Sequence, residues 1–134
     1  MDSTMLIVDD VEMNREILKL LFHETYGILE AENGQEALEV LEACRGNIDI
    51  VLLDLMMPGL SGFELMEQRK ELDFFKNVPV VVISSSGSMV DQVKAFEMGA
   101  SDFIEKPFMP EIVISRVNNV IASHKRLISV ELEA

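Results

Sequence analysis

Short apolar runs rich in β-branched residues recur along the chain at 5–8 (MLIV), 27–31 (GILEA), 50–53 (IVLL), 80–83 (VVVI) and 102–104 (DFI), and longer segments with helical spacing separate them. Near-continuous apolarity over four residues marks strands covered on both faces, as in parallel sheets. In the intervening segments, Ile17, Leu20, Leu21 and Glu24 occupy one helical stripe, with apolar residues at three of its four positions. Ala37, Leu38 and Leu41 form a second stripe, and Met89, Val93 and Phe96 a third. Turn residues punctuate the alternation. Asn33 is placed to cap the second helix, Pro58-Gly59 and Ser61-Gly62 follow the third strand, and Gly99 ends the fourth helix. Five strands alternating with five helices predict one α/β domain with a parallel sheet, right-handed crossovers and helices on both faces. At 134 residues, the chain has room for one core and not for two.

In such a sheet, ligands gather outside the carboxyl ends of the strands, where loops and helix N-termini leave a polar crevice. The first strand ends at Asp9 and Asp10, the third at Asp54, the fourth at Ser84 with Ser85 and Ser86 behind it, and the fifth leads to Lys106-Pro107. Each is ordinary alone: Asp10 could cap the first helix, a serine triplet fills loops, and Lys-Pro makes turns. Together they bring three carboxylates, a hydroxyl and an ammonium to one edge. Three carboxylates held together call for a cation. An all-oxygen set with room for water and phosphate fits Mg²⁺, whereas zinc would want His or Cys, and His23 and His124 lie away from the strand ends. Mg²⁺ and Lys106 would neutralise the oxygens of a transferring phosphoryl group, and Ser84 would donate a hydrogen bond to one of them. Asp54 would be the nucleophile that becomes an aspartyl phosphate.

Acidic residues outnumber basic ones 24 to 11, and the net charge of −13 repels nucleic acid and anionic membranes. No apolar run reaches the length of a membrane span. The single cysteine, Cys44, can form no internal disulfide and reads as an inert thiol in a reducing compartment. With an acidic rather than basic start, these features predict a cytoplasmic protein.

The motifs LIVDDVEMNREIL, IVLLDLMMPGLSGFEL, VVVISSSG and GASDFIEKPF closely resemble those of the receiver domain of two-component response regulators, over about residues 4–124. The resemblance implies a flavodoxin-like (βα)5 doubly wound sheet in the order 2-1-3-4-5, with a receiver over 1–124 and a helical extension or linker over 125–134. It implies Asp54 as phospho-acceptor, Asp10 as direct metal ligand, Asp9 acting through water, and the Met56 carbonyl as a further ligand. Ser84 and Lys106 would contact the phosphoryl group, and the peptide before Pro107 would be cis. Phe103, three residues before the lysine, would rotate as Ser84 is drawn inward, forming the switch. Met56 and Ser86 would flank the path of the hydrolytic water. Because a thioether orients water poorly, Met56 implies slow self-dephosphorylation. The implied partners are a sensor histidine kinase or phosphotransfer protein, and a C-terminal output domain.

Two enzyme classes fit less well. A haloacid-dehalogenase-type phosphatase needs a second aspartate two residues after the nucleophile, where this chain has Met56, and a P-loop switch needs a Gly-Lys-Ser or Gly-Lys-Thr cradle, which is lacking. A receiver-like module that is never phosphorylated is the remaining alternative, against which the intact acids, hydroxyl and lysine stand. In the last segment Val113, Val117, Val120 and Leu127 form one series, with Ile114, Ile121 and Ile128 beside it. Up to about residue 122 this stripe is expected to pack on the sheet. Beyond it, Leu127, Ile128, Val130 and Leu132 exceed what that packing needs and predict a linker helix or the seam of a homodimer.

Overall fold

A computed structural model describes residues 3–133, with side chains described up to Leu127. The strands are β1 (Thr4–Val8), β2 (Gly27–Ala31), β3 (Ile50–Leu53), β4 (Val80–Ser84) and β5 (Asp102–Glu105). They alternate with α1 (Glu12–Phe22), α2 (Gly34–Ala43), α3 (Gly62–Arg69), α4 (Met89–Glu97) and α5 (Pro110–Glu133). All neighbouring strands pair in parallel, in the order β2-β1-β3-β4-β5. This is the flavodoxin-like order expected.

The apolar runs are continuous because alternate residues serve two separate cores. On one face, Met5, Ile7, Ile50, Leu52, Val81, Ile83 and Ile104 pack with Leu18 and Phe22 of α1 and Val113 and Val117 of α5. On the other, Leu6, Val8, Val51, Leu53, Val80, Val82 and Phe103 pack with α2, α3 and α4 through Ala37, Leu41, Leu65, Met66 and Ala95. Truncating one of the buried Leu, Ile or Met side chains to alanine removes roughly 2–5 kcal/mol, a large share of the roughly 5–15 kcal/mol that stabilises a domain.

Two helices face differently from the sequence reading. In α1 the buried residues are Leu18 and Phe22, and Leu21 of the expected stripe packs partly buried beside them, whereas Ile17 and Leu20 are exposed. Residues 17–22 hold five apolar side chains, so the apolar arc is wider than one face and periodicity alone chose the wrong phase. In α4, Met89, Val93 and Phe96 are all exposed and only Ala95 is buried. That stripe exists, but it faces solvent, and a small residue makes the contact with the sheet. The stripe of α2 is correct: Ala37 and Leu41 are buried and Leu38 packs against them. Asn33 caps α2 as expected, its side chain accepting from the Glu36 amide at 2.8 Å, and α4 ends at Met98 with Gly99 following at φ +103°.

Cys44 caps the C-terminus of α2 half-buried against the core, with no described cysteine to pair with. His23 caps α1 and His124 lies on α5. The fifth helix runs past Lys125 to Glu133, with Val120, Ile114 and Ile121 partly buried and Leu127 exposed. The side chains of Ile128, Val130 and Leu132 lie outside the described residues, as does residue 134.

Candidate phosphoryl and metal site

The sheet register places the site. Val8 of β1 stands beside Leu53 of β3, so the residues that follow, Asp9 and Asp54, are neighbours. The Asp54 amide donates to the Val8 carbonyl at 2.9 Å and the Asp9 amide to the Ala31 carbonyl at 3.1 Å, which extends the sheet by one residue into each aspartate. Ser84 lies beside Glu105, and the Lys106 amide donates to the Ser84 carbonyl at 2.8 Å. The Lys106–Pro107 peptide is cis, as expected.

The side chains converge. One carboxylate oxygen each from Asp9, Asp10 and Asp54 lies within 4.8 Å of the other two; Asp9 and Asp54 are buried and Asp10 is exposed. The Lys106 ammonium donates to Asp9 Oδ2 at 2.8 Å and approaches Asp54 Oδ2 at 3.5 Å. The Met56 amide donates to Asp54 Oδ1 at 3.2 Å. Burial raises the Asp54 carboxyl above the ordinary aspartate value; the Met56 hydrogen bond and the Lys106 charge oppose that rise, and the Asp9 charge adds to it. Ser84 is fully buried, its Oγ accepting from the Ser86 amide at 3.2 Å, and the Ser86 hydroxyl donates to Asp91. Phe103 is buried on the strand next to Ser84 and borders a cleft of about 350 Å³ between α4 and α5.

The donor set fits a hard divalent cation. Three carboxylates converge, and among the described residues Lys106 alone is ion-paired with them, so two negative charges remain unbalanced. Hard oxygen donors with one exposed face suit an ion that retains water.

Some contributors were not singled out from sequence. Asp10 does not cap α1: Val11 is the N-cap residue, without a side-chain bond, and its amide donates to Asp9 Oδ1 at 2.9 Å. The carboxylate one residue earlier captures that amide, leaving Asp10 free to face the crevice. Arg15 braces Asp9 from below, donating to its carbonyl at 2.8 Å while pairing with Glu30 at 3.2 Å. Ser61 and Glu64 form a capping box that starts α3, a Ser-x-x-Glu pattern legible in the sequence. At Gly62 an added Cβ would stand 2.3 Å from the Asp54 carbonyl oxygen, so only glycine lets α3 begin so close to the acid.

Comparison with known proteins agrees with this fold. The sequence profile of the response regulator receiver domain matches residues 5–118. The transcriptional regulatory protein ResD of Bacillus subtilis (strain 168) is 39% identical over 121 residues, which cover 90% of this chain and 48% of ResD. This chain therefore spans about half the length of the curated relatives it matches. Among solved structures, the chemotaxis protein CheY4 of Vibrio cholerae superposes with a TM-score of 0.82 at 25% identity, covering 90% of this chain and 99% of that one. The BeF3-activated DrrB receiver domain gives a TM-score of 0.80 at 25% identity, covering 91% and 99%. With its strand order and its acidic edge, the chain belongs to the response regulator receiver domain family of two-component signalling.

Proposed function

We propose that the chain is a phosphorylation-driven switch in which Asp54 accepts a phosphoryl group from a sensor histidine kinase or phosphotransfer protein. The observation that carries this reading is the Lys106 ammonium set between Asp9 and Asp54, on a carboxylate that the sheet and the Met56 amide hold rigidly. Phosphoryl transfer asks a protein mainly for positioning and charge. An Asp54 oxygen attacks phosphorus as the bond to the donor imidazole nitrogen breaks, and the electron pair leaves on that nitrogen. Lys106 stabilises the charge on the transferred group. Asp10, Asp54, the Met56 carbonyl and, through water, Asp9 would hold Mg²⁺, which would supply further positive charge to the transferred group.

The Ser84 hydroxyl accepts from the Ser86 amide, which leaves its own proton free to donate to a phosphoryl oxygen. In this reading Ser84 is drawn toward the phosphoryl group and Phe103 moves into the space it leaves, coupling the site to the α4 and α5 surface. Met56 and Ser86 border the path of the hydrolytic water. A thioether at one and a hydroxyl already donated to Asp91 at the other both favour a long-lived phosphoryl group.

The receiver unit is taken as 1–124, with 125–134 a helical lead towards an output domain or a dimer seam; the name of ResD supports a transcriptional output. No helix among the described residues is long and apolar enough to cross a membrane, and the proposed setting is the cytoplasm.

The test is phosphoryl uptake from acetyl phosphate, followed by intact mass. Wild type should gain one phosphoryl group in Mg²⁺ and none in EDTA, and Ser84→Ala should slow the gain. Wild-type uptake that is absent, or equal with and without Mg²⁺, would refute the reading.

A further inference from the structure

The exposed methionines are not scattered. Met13 (71% exposed), Met56 (57%), Met89 (78%) and Met109 (62%) are, among the described residues, the only methionines more than half exposed. They lie in the first turn of α1, the loop after β3, the first turn of α4 and the loop after β5. In an all-parallel sheet these positions share the edge that holds Asp54. Of the other described methionines, Met5, Met57 and Met66 are buried and Met98 is half-buried. Among the described residues, the methionines open to solvent-borne oxidants therefore lie mainly around the site.

Met56 differs from the other three because its own amide is hydrogen-bonded to Asp54. Its side chain branches from the Cα bonded to that amide nitrogen and the residue is open to solvent, whereas Met57, the next residue, is 7% exposed and packs in the core. A thioether there is nearly inert as a hydrogen-bond acceptor. A sulfoxide is not: its oxygen accepts strongly, and oxidation turns a flexible apolar side chain into a polar one.

We propose that Met56 is an oxidative modification site whose sulfoxide shortens the lifetime of the phosphoryl group on Asp54. The oxidant is a peroxide. One oxygen is transferred to sulfur as the O–O bond of hydrogen peroxide breaks, so that the thioether is oxidised and the peroxide is reduced to water. The new S=O oxygen accepts a hydrogen bond from a water at the mouth of the site and holds it for attack on phosphorus. Hydrolysis then returns free Asp54 and inorganic phosphate. This inference rests on the reading of Asp54 as phosphoryl acceptor.

The experiment uses the full chain, treated briefly with hydrogen peroxide, mapped by peptide mass spectrometry, then phosphorylated with acetyl phosphate in Mg²⁺ and desalted. Met56 should be converted to sulfoxide before Met57, and the phosphoryl half-life should shorten about three- to tenfold, the effect of one hydrogen bond in the transition state. Met56→Leu, which retains the other three exposed methionines, should show the same half-life with and without peroxide. Met56→Gln, a permanent amide of similar length, should have a short half-life that peroxide does not change. An unchanged half-life in wild type with Met56 fully oxidised overturns the proposal, as does an equal peroxide response in Met56→Leu or oxidation of Met57 ahead of Met56. A chain that takes up no phosphoryl group even before peroxide treatment overturns the proposed function itself, and this inference with it.

Discussion

Gly62→Ala tests how tightly the backbone around Asp54 is fixed. The added Cβ would stand 2.3 Å from the Asp54 carbonyl oxygen and 2.6 Å from Leu55 Cα, against about 3.4 Å for ordinary contact, and both neighbours are backbone that cannot rotate away. The start of α3 or the end of β3 must therefore shift by about 1 Å. Overpacking of this kind costs roughly 1–3 kcal/mol. In a domain this size that lowers the melting temperature by roughly 4–12 °C and leaves the protein folded at assay temperature. A misplacement of about 1 Å at a reacting group costs on the order of 100-fold in rate. Phosphoryl uptake from acetyl phosphate should thus fall much further than stability does.

Gly59→Ala is the internal control. Gly59 lies in the loop that leads into α3, at φ +75° with nothing within 4 Å of an added Cβ, so the substitution strains the backbone by roughly 1–2 kcal/mol without pressing on Asp54. Melting should drop comparably while uptake stays within about twofold of wild type. Stopped uptake time courses at matched protein concentration, beside thermal melts, separate the two. Wild-type uptake by Gly62→Ala, or equal loss in both variants, would refute the argument that this contact positions the acid.

Two further outcomes follow from the site and the last helix. The Asp54 carboxyl is raised in the folded protein, so the native state holds that proton more tightly than the unfolded chain does. Its contribution to stability is present at low pH and is lost as pH rises from the ordinary aspartate value of about 4 through the raised folded value. In metal-free buffer Asp54→Asn should therefore melt above wild type at pH 7, with the gap closing near pH 4; a variant less stable at pH 7 and level at pH 4 would reverse the sign. Leu127 is exposed on α5 beyond the sheet contacts made by Val113 and Val117. If it belongs to a dimer seam, light scattering after size exclusion should show association in beryllofluoride that Leu127→Asp abolishes, and a monomer at high concentration in both states would count against the seam.

β1, β3 and β4 were legible because each carries its burial in its composition, four apolar residues in a row, whereas β2 (GILEA) and β5 (DFIE) were marked by their place in the alternation. The convergence of Asp9, Asp10, Asp54, Ser84 and Lys106 at one edge was legible too, since strand ends place the next side chain at a known edge. Helix orientation was harder. Five apolar residues within 17–22 match more than one face of α1, and the outer stripe of α4 looks in sequence like a buried one. Phe75 is fully buried from the irregular stretch between α3 and β4, where no periodicity marks it. Gly62 reads as turn punctuation until the backbone of Asp54 is seen against it. Contacts fixed by neighbouring backbone, such as the capture of the Val11 amide by Asp9 in place of Asp10, depend on loop geometry that residue types alone do not encode.

Asp54, and no other acid on this edge, is proposed to carry the phosphoryl group. The direct measurement is to phosphorylate the protein with acetyl phosphate in Mg²⁺, reduce the acyl phosphate with tritiated borohydride, and locate the label by peptide sequencing. Tritiated homoserine is expected at position 54, with no label in Asp54→Asn. Label at Asp9 or Asp10, or label that persists undiminished in Asp54→Asn, would contradict it.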